Sequence, residues 1–394
     1  MRRISRPFLA VAWSALCATV LACPCMASDV ERDLTRDAVD IDKRIAASGL
    51  LYGDARLDSY LQGVADRLRR PDDAESVRVR VLKGPWPNAF VLPNGSTYVT
   101  TALLDVLGNE AQLACVIGHE MTHLSGHHAA EELRAQRTRL AWTTVLAVIV
   151  GAAGAYYGGG QVGSLLADLT ADAGELWTLS AVSGYSRDHE READRRGFER
   201  IVAAGYDSAQ APAVFELLLA ETPDASSEPR PYFASHPKLE ERAASMGELL
   251  ASSPSTQQGR SDTEIFQSAL GELPLDQAMM LIDAGQATAA QRSVERYLAR
   301  NPHSARGHYA AGEAWRASSA VPDWQERALA EYGLAATLEG APPDALRKKG
   351  LLHRERGETA AARDSFEKFL ALDPGAVDAG LIRLYLQELS EPRN

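Results

Sequence analysis

The chain contains the stretch His119-Glu120-Met121-Thr122-His123. Residues four apart lie on one face of a helix, so the two histidines can bind a single metal ion. Glu120 follows the first histidine directly, where its carboxylate can take a proton from a water molecule on that ion. Zinc peptidases use this set of two neutral nitrogen donors and one base. The stretch therefore predicts a catalytic site with one zinc ion per chain.

The residues before this motif predict the helix that carries it. Leu113, Val116 and Ile117 are apolar at helical spacing, and Asn109 has a side chain suited to an N-cap. We therefore expect one continuous helix from about residue 110 to 136, with its metal-binding face toward a cleft. The alternative is a helix whose buried or surface histidines have this spacing by accident.

A catalytic zinc ion needs a third protein ligand. His127 and His128, one turn beyond the motif, are two candidates. The metzincins have a histidine where this chain has Ala129, so that class is excluded. Further along, Glu190 and Asp194 lie four apart on a predicted helix, where one can bind zinc and the other can hydrogen-bond a ligand histidine. The alternative for this acidic pair is a solvated charged helix face.

Four stretches, taken together, resemble the HtpX-like and CAAX-protease-type zinc metallopeptidases. The HExxH motif is followed by a predicted helix with the motif Glu-x-x-Ala-Asp, which runs from Glu190 to Asp194. Residues 88–100 resemble the strand that precedes the motif helix in that family, and residues 235–237, Ser-His-Pro, with Arg242 resemble a later segment. The resemblance covers roughly residues 30 to 250, with the stretches in the family's order.

This resemblance implies roles for individual residues. It implies that Glu190 is the third zinc ligand, beside His119 and His123, and that Asp194 hydrogen-bonds a ligand from behind. It also implies that His236 and Arg242 approach the metal to stabilise the oxyanion. For His236 a second role is implied, in which its imidazole occupies the open zinc position in a resting state.

The N-terminus predicts export. Arg2, Arg3 and Arg6 precede an apolar run that ends in small residues, which is typical of a secretory signal peptide over residues 1–27. A retained anchor is disfavoured because the apolar run is short for a membrane span. The residues up to Cys23 also resemble a lipoprotein cleavage box, which would leave that cysteine lipidated. We expect a periplasmic protein, with an outer-membrane lipoprotein as the alternative.

Composition narrows the classes of partner. The net charge of −12 disfavours nucleic acid and gives no attraction to anionic lipid. Outside the region of the predicted signal the chain holds one cysteine, Cys115, which we expect to be a buried thiol and not a ligand. Residues 141–160 are rich in Ala and Gly, and residues 162–182 are apolar but carry charges. We expect them to form a helical hairpin beside the zinc site, with peripheral membrane contact as the alternative.

The last third of the chain has a repeating pattern. Residues 251–262 are polar and unpatterned, as in a linker. Beyond them small, aromatic and proline residues recur at tetratricopeptide spacing, in copies near Ala290, Ala328 and Ala362. The alternative is a plain helical bundle of similar composition. Stacked repeats of this kind form a surface that binds protein segments.

We therefore expect a mainly α protein with a small β-sheet near residues 77–100. A gluzincin-type zinc metallopeptidase domain would span residues 28–250, and an α-helical tetratricopeptide array residues 263–394. The strand at residues 98–100 is expected to pair with an extended substrate. The predicted function is a periplasmic zinc endopeptidase that degrades unfolded or misassembled envelope proteins, with the outer-membrane assembly machinery as an implied partner. The alternative is a chaperone-like assembly factor or scaffold whose zinc site is mainly structural.

Overall fold

The structure, a computed structural model, describes residues 24–71, 73, 76–136, 185–221, 236, 238–253 and 259–390. Residues 1–23 of the predicted signal peptide, with Cys23, lie outside the described residues. So do both predicted apolar segments, 141–160 and 162–182. Within the described ranges, no helix is both long and apolar enough to cross a membrane.

Up to residue 253, the described chain consists of helices around a small sheet. The strands are β1 (Arg78–Leu82), β2 (Ala89–Val91) and β3 (Ser96–Thr100). The helices are α1 (Pro24–Ala47), α2 (Ala55–Leu68), α3 (Thr101–Val106), α4 (Glu110–Ser125), α5 (His128–Gln136), α6 (Arg187–Ala203), α7 (Gln210–Ala220) and α8 (Leu239–Ala251). The predicted mainly helical architecture with a small sheet is confirmed.

The sheet has the strand order β1-β3-β2, so that β3 lies in the middle. β1 pairs with β3 in parallel, with Arg78 opposite Ser96, and β2 pairs with it antiparallel, with Phe90 opposite Tyr98. The prediction that residues 98–100 pair with a substrate is therefore wrong, because both sides of β3 already carry a hydrogen-bonded strand. The strands at the two edges of the sheet are β1 and β2.

The HExxH motif lies on α4, which runs through the largest hydrophobic core. Every side chain from Glu110 to Leu124 is buried. Asn109 caps the helix, as predicted, because its side-chain oxygen accepts a hydrogen bond from the backbone N–H of Gln112. Cys115 is a buried thiol, also as predicted, and burial raises its pKa to about 12.

The expected continuous helix from about residue 110 to 136 is wrong, because the chain breaks it into α4 and α5. The break lies at Gly126 and His127. His127 has a left-handed backbone, with φ of 51°, which a right-handed helix cannot contain. α5 begins directly afterwards at His128.

A buried ion pair holds α6 in place. Arg200 is 1% exposed and binds both carboxylate oxygens of Asp73 at 2.6 Å. Its guanidinium also donates to the hydroxyl of Ser125 at the end of α4. α6 is therefore fixed both to the loop after α2 and to the end of the motif helix.

Eight helices follow in residues 259–390. They are α9 (Thr263–Leu270), α10 (Leu273–Asp283), α11 (Ala287–Leu298), α12 (Ala305–Ala317), α13 (Trp324–Ala335), α14 (Pro343–Glu355), α15 (Thr359–Leu372) and α16 (Ala379–Glu388). From α10 onward each helix packs against the next. α9, in contrast, buries Phe266 and Leu270 in the core that contains α4.

Glycines allow close packing between these later helices. A Cβ added to Gly350 would lie 2.5 Å from the ring of Phe366, and one added to Gly312 would lie 2.4 Å from the ring of Tyr332. The two glycines are equivalent in successive helix pairs, α14–α15 and α12–α13. These small and aromatic residues therefore pack against each other between helices.

Candidate metal centre

Two glycines set how closely α4 and α6 approach. A Cβ on Gly197 of α6 would lie 3.0 Å from the backbone nitrogen of His119, and one on Gly118 of α4 would lie 3.4 Å from the carbonyl oxygen of Gly197. The two helices thus cross backbone to backbone. Glu190 and Asp194 lie on the same face of α6 as Gly197, because residues three and four apart share a helix face. The crossing therefore places both acids over the motif.

Three side chains direct donor atoms at a common point. The Nε2 atoms of His119 and His123 are 3.0 Å apart. The Glu190 carboxylate lies 3.4 Å from His123 Nε2 through Oε1 and 3.6 Å from His119 Nε2 through Oε2. All three side chains are buried. The structure therefore brings together the predicted ligands from two helices that are far apart in sequence.

These separations fit a zinc ion. Zinc binds histidine nitrogen and carboxylate oxygen at about 2.0–2.1 Å, so neighbouring donors of a tetrahedral site are about 3.3 Å apart. The donor separations of 3.0 to 3.6 Å lie on either side of that value. Two imidazoles and one carboxylate are also a donor set of catalytic zinc sites.

His236 contributes a fourth donor to the same group. Its Nδ1 is 3.3 Å from His119 Nε2 and 3.0 Å from Glu190 Oε1, and the four donor atoms lie within 4.8 Å of one another. Its other nitrogen, Nε2, is 3.4 Å from Glu120 Oε1. His236 therefore lies between the three donors and the predicted base.

Burial sets the charge states around the donors. It raises the pKa of Glu120, against the lowering effect of positive charge on His236 and His119. It also holds the pKa of His123 well below its usual range, which favours the neutral imidazole that a metal requires. Glu120 is thus a buried carboxylate with an increased proton affinity beside the donor group.

Arg242 binds both acids of α6. Its Nε and Nη2 donate to Asp194 at 2.9 and 2.7 Å, and its Nη1 lies 2.7 Å from Glu190 Oε2. Burial alone would raise the pKa of each carboxylate. The Arg242 charge outweighs it, lowering the pKa of Asp194 to about 2 and holding that of Glu190 well below its usual range. Asp194 also lies 3.0 Å from His119 Nδ1, which places it behind that histidine.

The other two candidate ligands do not join the donor group. His127 is exposed in the break after α4. His128 is buried behind His123, with its Nδ1 3.0 Å from His123 Nδ1, on the ring edge opposite the donor atom. Glu190 is therefore the candidate that the fold brings to the two motif histidines.

Sequence reasoning missed one aromatic residue at this site. The ring of Tyr185 stacks on His123 with centroids 3.8 Å apart and an angle of 18° between planes. Burial raises its pKa well above the usual range. It precedes Ser186, whose hydroxyl caps α6. In sequence, an aromatic residue before an N-cap does not indicate a metal site. The stack forms only because the fold places the start of α6 against α4.

The helix crossing supports a prediction. We expect Gly197→Ala to lower both the zinc affinity and the melting temperature, because the added methyl group meets backbone atoms of His119 and pushes α6 away. Overpacking of this kind typically costs about 1–3 kcal/mol of unfolding free energy. Zinc titration and thermal unfolding of the purified protein would measure both effects. Gly247→Ala on α8 is the control, since its Cβ would meet no atom within 4 Å; equal behaviour of the two variants would contradict the prediction.

Several known proteins are similar in sequence to this part of the chain. The OMA1 mitochondrial metalloendopeptidase of Arabidopsis thaliana is 32% identical over 200 residues, which are 48% of this chain and 36% of that protein. The Beta-barrel assembly-enhancing protease of Escherichia coli K12 is 28% identical over 209 residues, 51% of this chain and 40% of that protein. Metalloprotease YcaL of the same strain is 26% identical over 214 residues, 54% and 76% respectively. The chain thus spans less than half the length of the first two relatives.

The residues that match a known family include the whole donor group. The profile of Peptidase family M48 matches residues 53–250, which include the sheet, the motif helix, α6 and His236. The relatives are named as metallopeptidases or proteases. Family match, buried donor group and adjacent carboxylate agree, and the chain is a metallopeptidase that belongs to Peptidase family M48.

Proposed function

We propose that this metallopeptidase is a zinc-dependent endopeptidase in which His119, His123 and Glu190 hold the metal. One observation carries the proposal. Four buried donor atoms lie within 4.8 Å of one another, directly beside the carboxylate of Glu120. A metal site with only a structural task needs no such neighbouring base. When bound, zinc supplies Lewis-acid activation of water and of the substrate carbonyl.

The chain's own residues supply the proton transfer and the positioning. Glu120 accepts the proton of the attacking water at its carboxylate and passes it to the leaving amine. Asp194 orients the ring of His119 through Nδ1. Arg242 orients both carboxylates of α6, and the oxyanion-stabilising role that the family resemblance implies for it is part of the proposal. The low-dielectric surroundings strengthen each of these interactions.

We further propose that the structure corresponds to a resting state set by His236. Its Nδ1 lies where a fourth zinc ligand would lie, and a catalytic zinc site needs that position for water or substrate. Moving the imidazole off this position makes the site competent. The same ring, next to Glu120, is then within reach of the oxyanion.

Replacing His236 by alanine tests this proposal. We expect the zinc content and the melting temperature to stay near the wild-type values, because three protein ligands remain. We expect the rate of proteolysis to change, measured beside an inactive Glu120→Gln protein. A faster rate identifies an inhibitory ligand, and a slower rate identifies a contribution to the transition state. An unchanged rate would remove His236 from the mechanism.

The proposed setting is the periplasm, after removal of a signal peptide over residues 1–27 or lipidation at Cys23. The proposed substrates are unfolded or misassembled envelope proteins, supported by similarity to the Beta-barrel assembly-enhancing protease and by the predicted export signal. The helices from α10 to α16 would act as a tetratricopeptide array that binds protein segments, including those of the outer-membrane assembly machinery. Their packed glycine–aromatic pairs support the repeat assignment.

A scaffold with a structural zinc site is the second candidate function. One observation favours it: with His236 in place the site has four protein donors, as structural zinc sites do. Both functions can be separated by incubating an unfolded outer-membrane protein with the purified chain. The endopeptidase requires cleavage that stops on chelation and returns when zinc is added back. Zinc binding and substrate binding without cleavage would support the scaffold.

A further inference from the structure

Behind the donor group, a second histidine lies against a zinc ligand. His128 and His123 are each 1% exposed, and their Nδ1 atoms are 3.0 Å apart. At this distance one Nδ1 must donate and the other must accept, because two bare lone pairs would repel. His123 directs its other nitrogen, Nε2, at His119 and Glu190.

The direction of this hydrogen bond follows from the donor group. To bind a metal through Nε2, a neutral His123 must carry its proton on Nδ1. That N–H can only donate, so Nδ1 of His128 accepts and the proton of His128 stays on Nε2. This second N–H faces the carboxylate of Glu192, whose Oε2 is 3.7 Å away. Of these two contacts of His128, only the one with His123 is at hydrogen-bonding distance.

Local structure places the accepting imidazole. The left-handed backbone at His127 turns the chain so that the next residue points back beneath α4. Gly126 leaves the space for the ring, since a Cβ there would lie 2.4 Å from His128 Nε2. The ring of His189 on α6 covers the other side, stacked at 4.4 Å with 14° between planes. The helix break thus serves to position a side chain.

We propose that His128 is a positioning residue that fixes the tautomer and ring orientation of His123 for metal binding. This inference rests on the proposed zinc site. The two motif histidines then differ in their support: His119 has the Asp194 carboxylate at Nδ1, and His123 has a neutral imidazole. Residues in such outer positions typically change metal affinity by about 10–100-fold.

A pair of substitutions isolates the acceptor. His128→Leu removes the accepting nitrogen at similar volume, and His128→Asn returns an oxygen close to the Nδ1 position. His127→Asn, one residue away and exposed, is the matched control, because asparagine tolerates the left-handed backbone at this position. Zinc affinity is measured on the full chain by competition with a chromogenic chelator. Zinc content at saturation, the spectrum of the cobalt-substituted protein and the melting temperature of zinc-free protein are recorded alongside.

We expect His128→Leu to bind zinc about 10–100-fold more weakly, yet still to take up one ion per chain at saturation. His128→Asn and the His127→Asn control should bind within a few fold of wild type. Gly126→Ala keeps the imidazole of His128 but displaces it, so its zinc affinity should fall as in His128→Leu. If His128→Leu does not fold, Gly126→Ala tests the inference in its place.

Three results would overturn the inference. The first is wild-type zinc affinity in both His128→Leu and Gly126→Ala. The second is zinc binding by His128→Asn that is as weak as that of His128→Leu. The third is a changed cobalt spectrum of His128→Leu together with less than one ion per chain, which would make His128 a ligand. A wild-type chain that binds no zinc would instead refute the proposed zinc site itself, and the inference with it.

Discussion

Replacing Glu120 with glutamine is expected to abolish peptide hydrolysis while the fold and the bound zinc are retained. The amide has almost the same shape as the carboxylate but cannot accept the proton of the attacking water. General-base catalysis typically contributes about 10²–10⁴-fold to a rate, so cleavage should fall at least that far. Zinc should remain because Glu120 is outside the group of residues that offers the donor atoms.

The measurement compares cleavage of one unfolded protein substrate by wild type and Glu120→Gln, at equal zinc content. Glu199→Gln is the matched control, since this glutamate lies on α6 and ion-pairs with Arg195 at the surface. It should cleave like wild type. Turnover by Glu120→Gln at the wild-type rate would refute the assigned base, whereas loss of both zinc and activity would show that Glu120 supports the metal.

The second large effect is expected at α6. Glu190→Gln should remove most of the bound zinc, because it deletes the anionic donor that lies 3.4 to 3.6 Å from both motif nitrogens. Asp194→Asn should weaken zinc binding more modestly, by about 10–100-fold, as outer-shell changes typically do. Its carboxylate contacts Nδ1 of His119 and the guanidinium of Arg242, and not the point where the donors meet.

Metal content after dialysis against a weak chelator separates these two cases. Asp188→Asn is a suitable control. Asp188 is an acid in the first turn of the same helix, and its side chain is 92% exposed. The control should keep one zinc ion per chain. If Glu190→Gln kept stoichiometric zinc while His127→Ala or His128→Ala lost it, one of those histidines would be the third ligand.

Local patterns predicted the motif helix and its cap, because both depend on residues within one or two turns. The donor spacing of His119 and His123 follows from helix geometry alone, and Asn109 needs only the backbone N–H of Gln112. The small sheet near residues 77–100 was predicted differently, from the resemblance of residues 88–100 to the family's strand before the motif helix. The helix, its cap and its donor spacing are therefore predictable without tertiary contacts.

Other features depended on how distant segments pack. Apolar periodicity continues past residue 125, so it could not reveal the left-handed turn at His127 that ends α4. A strand pattern gives no position within a sheet, which is why β3 could be mistaken for an edge. The contacts of Arg242 with two acids of α6, and of Tyr185 with His123, join elements that only the assembled fold brings together.

The crossing of α4 and α6 at Gly118 and Gly197 has a consequence for metal selectivity. Side chains can relax around an ion by rotating, but two backbones in contact cannot move closer, so the glycine pair sets a lower limit on the size of the coordination sphere. Glu190 lies seven residues, or about 10 Å along the helix axis, from Gly197. Because of this distance, a small change of the crossing angle moves the Glu190 carboxylate relative to the two motif histidines. Replacing the proposed zinc by a metal ion with longer bonds would require the two helices to move apart, without a change of any ligand.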